Sequence, residues 1–437
     1  MSLELLVLRQ ISFFVGSAAV ITSIIMGTFL GFMSLGYFLG GRVAPSRVRV
    51  GLGFLIIALF GMLAASFPLI SAYFSTMYRA GIQSGVIQTF IFSFALLSVG
   101  PFLFGFNTTQ LSRMLHTHNT NYTGNIMAWD TIGSVIASAM TTLILMPVIG
   151  VNHTVMIVVA IAILAAVSMA PRWYTMLGGV AIIATTLWVN SNALLYKHFG
   201  ILVNNANSTI SVTDMGDMRI LYMNGLPMSV YNQTHGTGAE YIDYINDNFI
   251  YNMPHDRVRK ILVLGAGGFT AGLRDGFNDY TFVDIEPTLK EITEEKFLQQ
   301  KLGPNKHFVV RDASQYLKNI DEQYDLIILD VYSNSYQVPE NLITAEFMSR
   351  IKSRVAPNGI IVMNMVSSAT FDDAYTRVFD NTFHHVFPHN TQRQVIGDMN
   401  PWGENMVMNV IYVYYNREND GRIYTINKTP VIYDIAY

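Results

Sequence analysis

Long apolar stretches separated by short polar breaks make up residues 1–196. No charged residue lies between Arg9 and Arg42, or between Arg172 and Lys197. Because a helix needs about 20 apolar residues to cross a hydrocarbon core about 30 Å thick, these stretches predict transmembrane helices. We place six of them, near residues 18–41, 50–74, 85–109, 124–148, 153–170 and 173–194. Residues 3–16 are apolar but short, and are a candidate for a seventh, truncated or re-entrant helix.

The pattern changes in the second half of the chain. Residues 209–213, 218–223 and 228–231 read as strands, and Asn224-Gly225 is a strong hairpin signal. From residue 258, apolar strands alternate with amphipathic segments, which predicts a parallel, doubly wound sheet with helical crossovers. The predicted fold class is an α-helical polytopic membrane domain followed by an α/β domain with a mostly parallel sheet and a small N-terminal β subdomain. The predicted domains are residues 1–196, 197–256 and 257–437.

The distribution of charge supports this division. Only 13% of the 437 residues are charged, whereas soluble globular domains average about 25%. Residues 1–196 carry 9 of the 57 charged side chains, with a net charge of +5, and the remaining residues carry 48, with a net charge of −8. This composition excludes a disordered chain, a coiled coil and a simple cytosolic enzyme. The acidic second half shows no basic stripe, which argues against nucleic-acid binding.

Cysteine and histidine usage limits the possible chemistry. The chain has no cysteine, so disulfides, thiol chemistry and cysteine metal sites are excluded. Its ten histidines show no HxxxH or HxH pairing, and no metal site is predicted. His235, beside a glycine in Thr234-His235-Gly236, is a candidate base, with a loop position as the alternative.

Arginine positions and one acidic residue raise questions about the membrane domain. The rule that cytoplasmic loops are rich in arginine puts five arginines on the cytoplasmic side: Arg42, Arg47, Arg49, Arg113 and Arg172. With six spans, the second half of the chain would then lie outside the cytoplasm. Asp130 is the only acidic residue between residues 5 and 213. A carboxylate in a membrane helix is a functional hypothesis by default, and an interfacial structural role is the alternative.

Glycines and acids follow the predicted strands of the α/β domain. Gly265-Ala266-Gly267-Gly268 comes after the first strand, and Asp284, Asp312 and Asp330 end later strands. Ligands of doubly wound sheets bind at this edge, and a glycine turn lets them approach the backbone closely. Asp284 suits a ribose diol, and Asp312 suits an adenine amino group. The third glycine of a dinucleotide fingerprint is missing, which favours an adenosylmethionine-type ligand over NAD.

The second half resembles spermidine synthases, which are polyamine aminopropyltransferases with a class I methyltransferase-like fold. The whole chain resembles their bacterial membrane-fused relatives. The segments that carry the resemblance are Leu35–Arg42, Trp129–Gly133, Arg219–Gly225, Ile261–Gly268, Val283–Pro287, Tyr324–Asp330 and Pro339–Phe347.

The resemblance implies a reaction and a set of site residues. In this family, decarboxylated S-adenosylmethionine donates an aminopropyl group to an amine and leaves as methylthioadenosine. Asp330 would orient and deprotonate that amine, and Tyr241 would help to hold it. The implied cofactor-binding residues are Gly265 and Gly267 on the cofactor, Asp284 on the ribose, and Asp312 with Ala313 on the adenine. Tyr332, Tyr336 and Gln337 are predicted to form a lid or acceptor wall.

Two departures from the family keep several functions open. The soluble enzymes carry acids at the positions of Gly268 and Ser333, where they bind a cationic amine. The chain is therefore an aminopropyltransferase, a methyltransferase with a membrane-delivered acceptor, or a non-catalytic protein for binding or complex assembly. A polyamine transporter, resting on Asp130, is a further alternative.

The expected partners are the lipid bilayer, a small acceptor and a homo-oligomer or membrane complex. We expect a bacterial inner-membrane location. The cytosolic origin of the donor favours a cytoplasmic α/β domain, whereas the arginine distribution favours the opposite side.

Overall fold

The computed structural model describes residues 1–16, 19–115, 123–332, 338–397 and 407–418. The chain divides into two compact units. The first contains Met1–Gly236 and Glu291–Gln299, and the second contains Thr237–Lys290 and the residues from Gln300 onward. The predicted boundaries at residues 196 and 256 stay predictions.

Ten helices form the described N-terminal part of the first unit. They are α1 Ser2–Val15, α2 Ala19–Gly40, α3 Arg47–Ala65, α4 Phe67–Arg79, α5 Gly85–Phe92, α6 Val99–Leu115, α7 Thr123–Met140, α8 Met146–Met169, α9 Trp173–Val189 and α10 Asn192–Phe199. Short π-helical turns, Ser93–Leu97 and Thr141–Leu145, connect α5 to α6 and α7 to α8.

Four helical segments of the described residues are long and apolar enough to cross a membrane, or five if α9 and α10 form one bent span. This number is lower than the six predicted spans for two reasons. Gly124–Met169 runs on as one helical segment of 46 residues, which covers two predicted spans and is interrupted at Gly150, where φ is 83° and ψ is 167°. The last predicted span is split by a 47° bend between α9 and α10. The predicted span 50–74 also ends early, since α3 stops at Ala65.

Glycines let two of these helices pack with their backbones in contact. A Cβ atom on Gly36 of α2 would lie 2.0 Å from the Phe102 carbonyl oxygen of α6, and one on Gly105 of α6 would lie 2.2 Å from the Met33 carbonyl oxygen. Small residues allow this close approach of two helix backbones. Gly27 of α2 has nothing within 4 Å of a Cβ position, so not every glycine of this helix makes such a contact.

A four-stranded antiparallel sheet completes the first unit within the described residues. Its strands, in spatial order, are β1 Ile201–Asn204, β2 Thr209–Met215, β3 Met218–Met223 and β4 Leu226–Asn232. The predicted hairpin is confirmed, since Asn224 and Gly225 both have positive φ, 52° and 81°, between paired β3 and β4. Both residues of a type I′ turn need this conformation.

Polar contacts join this sheet to the helices. The Asn204 side-chain amide donates to Gln10 Oε1 at 3.2 Å and to Asn152 Oδ1 at 3.0 Å. The Arg9 guanidinium donates to the Asn205 carbonyl oxygen at 2.9 Å. Residues 201–232 are therefore packed against α1 and α8.

Residues 291–299 also belong to the first unit. The ring of Phe297 is fully buried and lies edge-on to Tyr231 of β4, with a centroid distance of 6.2 Å. The Phe297 carbonyl oxygen accepts a hydrogen bond of 2.9 Å from the buried Arg219 guanidinium. These residues fall within the predicted domain 257–437, whose boundaries stay predictions.

The second unit contains an α/β domain, which begins after the short helix α11. The described helices and strands of the second unit are α11 Glu240–Ile245, β5 Lys260–Leu264, β6 Asp279–Asp284, α12 Leu289–Ile292, β7 Lys306–Val310, α13 Ala313–Lys318, β8 Tyr324–Leu329, α14 Ala345–Arg354, β9 Val355–Ser368, α15 Ala374–Val386, β10 Thr391–Ile396 and β11 Val407–Tyr415. The helix α12 crosses the boundary to the first unit.

Seven of these described strands form one sheet, in the order β10-β11-β9-β8-β5-β6-β7. The five from β9 to β7 are parallel, and β11 and β10 add antiparallel pairs. The predicted mostly parallel, doubly wound sheet is confirmed. Strand order reverses between β5 and β8, and this switch point is where such sheets bind ligands.

Candidate functional site

The switch point brings the glycine turn and Asp330 together. Gly265 follows β5 with a φ of +90°, and a Cβ atom there would lie 2.1 Å from the Asp330 carbonyl oxygen after β8. The Asp330 N–H in turn donates to the Leu264 carbonyl oxygen at 2.8 Å. The close approach of the ends of β5 and β8 therefore requires glycine at position 265, whether or not a ligand binds there. Gly267 also has positive φ, 49°.

Asp284 supports the glycine turn from the neighbouring strand. Its Oδ2 atom accepts a hydrogen bond from the Ala266 N–H at 3.0 Å, and its Oδ1 atom accepts one from the Glu286 N–H, also at 3.0 Å. Burial raises the pKa of Asp284, and these backbone hydrogen bonds oppose the rise. The residue is partly exposed, and its role at a ribose stays a prediction.

Asp312 has a structural role that the sequence did not show. It is the N-cap of α13, where its side chain accepts a hydrogen bond from the Gln315 N–H at 2.9 Å. Ala313 is the first residue of that helix and is buried. The preceding Arg311 N–H donates to the Asp284 carbonyl oxygen at 2.8 Å, which puts Asp312 beside the end of β6.

The carboxylate of Asp330 is held on both oxygens. The Tyr241 hydroxyl donates to Oδ2 at 2.9 Å, and the Asn364 side-chain amide donates to Oδ1 at 2.9 Å. Burial raises the pKa of Asp330, whereas the hydrogen bonds from Asn364 and Tyr241 lower it. Burial and the adjacent carboxylate raise the pKa of Tyr241 well above its ordinary value, so this hydroxyl remains a donor.

Asn364 is a site residue that the sequence analysis missed. It lies in β9, which pairs with β8, and is only 1% exposed. Tyr332 helps to fix this strand, because its hydroxyl donates to the Asn364 carbonyl oxygen at 2.9 Å. The sequence signal that could have identified Asn364 is a polar side chain inside the apolar run Ile360–Met365. Ser333, Tyr336 and Gln337 lie outside the described residues.

His235 lies in a turn that follows β4. It belongs to the first unit, whereas Tyr241 and Asp330 belong to the second. Its side chain is exposed in a turn, where its backbone N–H donates to Asn232 Oδ1 at 2.9 Å. Its role as a base stays a prediction. Across the described ranges, no group of three or more His, Asp or Glu residues is arranged to hold a metal ion.

The α/β domain is similar to known aminopropyltransferases in sequence. The spermine/spermidine synthase domain family matches residues 250–398. A polyamine aminopropyltransferase of Vibrio vulnificus is 26% identical over 170 residues, which are 36% of this chain and 56% of that protein. Polyamine aminopropyltransferase 2 of Pseudomonas aeruginosa is 26% identical over 163 residues, 35% of this chain and 46% of that protein. The chain thus spans about half the length of the curated relatives it matches.

Two spermidine synthases are among the solved structures that match part of this chain. A probable spermidine synthase from Corynebacterium glutamicum has 23% sequence identity and a TM-score of 0.41, covering 51% of this chain and 80% of that chain. The spermidine synthase from Thermotoga maritima has 16% identity and a TM-score of 0.37, covering 48% and 70%. The family matches confirm the resemblance read from the sequence. This chain therefore contains a spermine/spermidine synthase domain over residues 250–398, and in the described residues before it four helical segments, or five with the bent pair, are long and apolar enough to cross a membrane.

Proposed function

We propose that the α/β domain binds an S-adenosylmethionine-type donor beside Gly265 and transfers a group from it to an amine held by Asp330. The observation that carries this proposal is the Asp330 carboxylate at the switch point, with Tyr241 and Asn364 each 2.9 Å from one of its oxygens. Relatives named polyamine aminopropyltransferase support an amine as the acceptor.

An unsatisfied atom beside Asp330 also fits an amine. Asn364 Oδ1 is buried and accepts no hydrogen bond from the described residues. A buried acceptor without a donor destabilises a protein by about 1–3 kcal/mol. An ammonium group has several N–H donors, so an amine bound to Asp330 would also supply the donor that Asn364 lacks.

In the proposed reaction, the amine nitrogen attacks the first carbon of the donor's aminopropyl group. The C–N bond forms as the C–S bond breaks, and the sulfonium sulfur keeps the electron pair and leaves as methylthioadenosine. Before this attack, the bound ammonium group gives one proton to Asp330, which leaves the nitrogen with a free electron pair; the product is a secondary ammonium. Burial raises the pKa of this carboxyl, which makes it a better proton acceptor near neutral pH. Decarboxylated S-adenosylmethionine is the donor that family resemblance implies.

The test uses the full chain purified in detergent, with decarboxylated S-adenosylmethionine and putrescine, and measures methylthioadenosine release. We expect Asp330→Asn to lower turnover by about a hundredfold or more, since general bases contribute at least that much. Asp321→Asn is the matched control, because this carboxylate is exposed and lies ahead of the same strand. Equal turnover in the wild type and Asp330→Asn would refute the assignment of the base.

A second candidate is a non-catalytic domain that binds a nucleoside outside the cytoplasm. The helix α3 runs from Arg47 to Ala65, about 28 Å at 1.5 Å per residue. The Gln10 side-chain amide donates to the Ala65 carbonyl oxygen at 3.1 Å, and Asn204 donates to Gln10. The β1 strand therefore lies at the end of α3 opposite Arg47, and the arginine rule assigns that end to the non-cytoplasmic side.

Two measurements separate the candidates. Calorimetric titration of the full chain with methylthioadenosine tests the donor site, and Asp284→Ala is expected to weaken binding. Binding without turnover on any amine favours the second candidate. We also propose that the chain is an integral protein of a bacterial inner membrane. Reporters fused after residue 437 identify the side: activity of a cytosol-only reporter supports the enzyme, and activity of a periplasm-only reporter supports the second candidate.

A further inference from the structure

The helical part of the first unit contains a cavity of about 580 Å³. Its wall is mostly apolar and includes four aromatic rings, those of Phe29, Tyr37, Phe104 and Trp129. One carboxylate, that of Asp130, faces it together with the hydroxyl-bearing residues Ser2, Thr131 and Ser134. Cavities of about 300–1,000 Å³ with a few polar groups are typical of small-molecule sites.

The cavity extends from one end of the helices toward their middle. Tyr37, beside Asp130, lies three residues before the end of α2. Ile57, which also lines the cavity, lies at the middle of α3, about 15 Å from Arg47 at 1.5 Å per residue. Asp130 therefore lies near one end of the cavity, and the apolar wall continues inward.

The protein supplies little hydrogen bonding to the Asp130 carboxylate. The Tyr37 hydroxyl donates to its Oδ2 atom at 3.5 Å, the long limit for a hydrogen bond. No Lys, Arg or His side chain in the described part of the chain forms an ion pair with it. The α-amino group of Met1 interacts electrostatically with Asp130 and also with Glu4, a carboxylate that is 3% exposed. Among the described side chains, Asp130 therefore has one long hydrogen bond, from Tyr37.

We propose that this cavity binds an organic ammonium ion, with its charge at Asp130 and its hydrocarbon body between the aromatic rings. An acid in an apolar, membrane-embedded environment requires a cation or a proton. Aromatic faces attract ammonium groups in addition to the carboxylate. An apolar cavity of this size accommodates an alkyl chain, whereas a hydrated metal ion would find few oxygen ligands. The cavity lies wholly in the first unit, so this site is separate from Asp330.

The test uses the full chain in lipid nanodiscs and hexyltrimethylammonium as the probe, with empty nanodiscs as the blank. This quaternary ion cannot act as an amine nucleophile, so the synthase domain has no reaction with it. We expect saturable binding that is weakened about tenfold or more by Asp130→Asn, because the bound cation loses its negatively charged partner. Asp330→Asn should leave the Kd unchanged, and neutral 1-hexanol should not compete.

A second variant keeps the test decisive if Asp130→Asn fails to fold. Trp129 is 73% exposed, so Trp129→Leu should fold normally and raise the Kd about threefold through loss of a cation–π contact. Absence of saturable binding above the blank would overturn the proposal. So would an unchanged Kd in both variants, or competition by 1-hexanol equal to that of the cation.

Discussion

The replacement Tyr241→Phe isolates the hydrogen bond that the structure gives to Asp330 Oδ2. The hydroxyl donates over 2.9 Å to this oxygen, and the change removes one oxygen atom and keeps the ring. The hydrogen bond favours the ionised form of Asp330, so its removal raises the pKa of this carboxyl above its already raised value. Tyr241 itself remains protonated across the working range, because burial raises its pKa further.

The size of the effect follows from the type of bond. A hydrogen bond to a charged group contributes about 1.5–3 kcal/mol, and 1.36 kcal/mol corresponds to one pKa unit. We therefore expect the pKa of Asp330 to rise by about 1–2 units in Tyr241→Phe. Asp330 must be ionised to accept a proton, so activity falls as pH drops through its pKa. The acidic limb of kcat/KM should move to higher pH by the same amount.

The assay is the pH dependence of methylthioadenosine release. Tyr332→Phe is the matched control, since the Tyr332 hydroxyl donates to the Asn364 carbonyl oxygen and not to Asp330. Its acidic limb should move less. An unchanged limb in Tyr241→Phe, a shift to lower pH, or an equal shift in both variants would show that the hydroxyl does not set the pKa of Asp330.

Three further substitutions test the fold around these sites. Gly265→Ala should lower the free energy of unfolding by more than about 2 kcal/mol, because its Cβ atom would lie 2.1 Å from a carbonyl oxygen; Gly276→Ala, with open space around it, should be nearly neutral in chemical denaturation. Asp312→Ala should lower the free energy of unfolding by about 1 kcal/mol, because the helix cap is lost, whereas Asp312→Asn should keep most of this stability. Equal losses of stability in the two variants would contradict the capping role. Gly36→Ala should lower the melting temperature in detergent, because a Cβ atom would lie 2.0 Å from the facing helix, whereas Gly27→Ala has nothing within 4 Å; the same melting temperature in both would refute this packing argument.

Local patterns predicted the elements well, and long-range pairing explains the rest. The strands of the parallel sheet, the glycine turn and Asp330 were readable because buried strands are continuous apolar runs that end in polar residues. Asn364 was missed because its contact with Asp330 depends on the pairing of β8 with β9, 34 residues apart in sequence. The break at Gly150 was placed correctly between two spans, yet hydropathy gave no sign that helix continues on both sides of it.

The assignment of residues 291–299 to the first unit has a consequence for dissecting the protein. The chain passes between the two units three times, after residues 236, 290 and 299. A single cut at the predicted boundary of residue 257 would separate Phe297 from Arg219 and Tyr231 and expose a fully buried ring. Because the segments of the two units alternate along the chain, replacing one unit by an unrelated domain through a single fusion point would remove part of the other unit. A stably folded first unit is therefore expected only when residues 291–299 are kept together with residues 1–236.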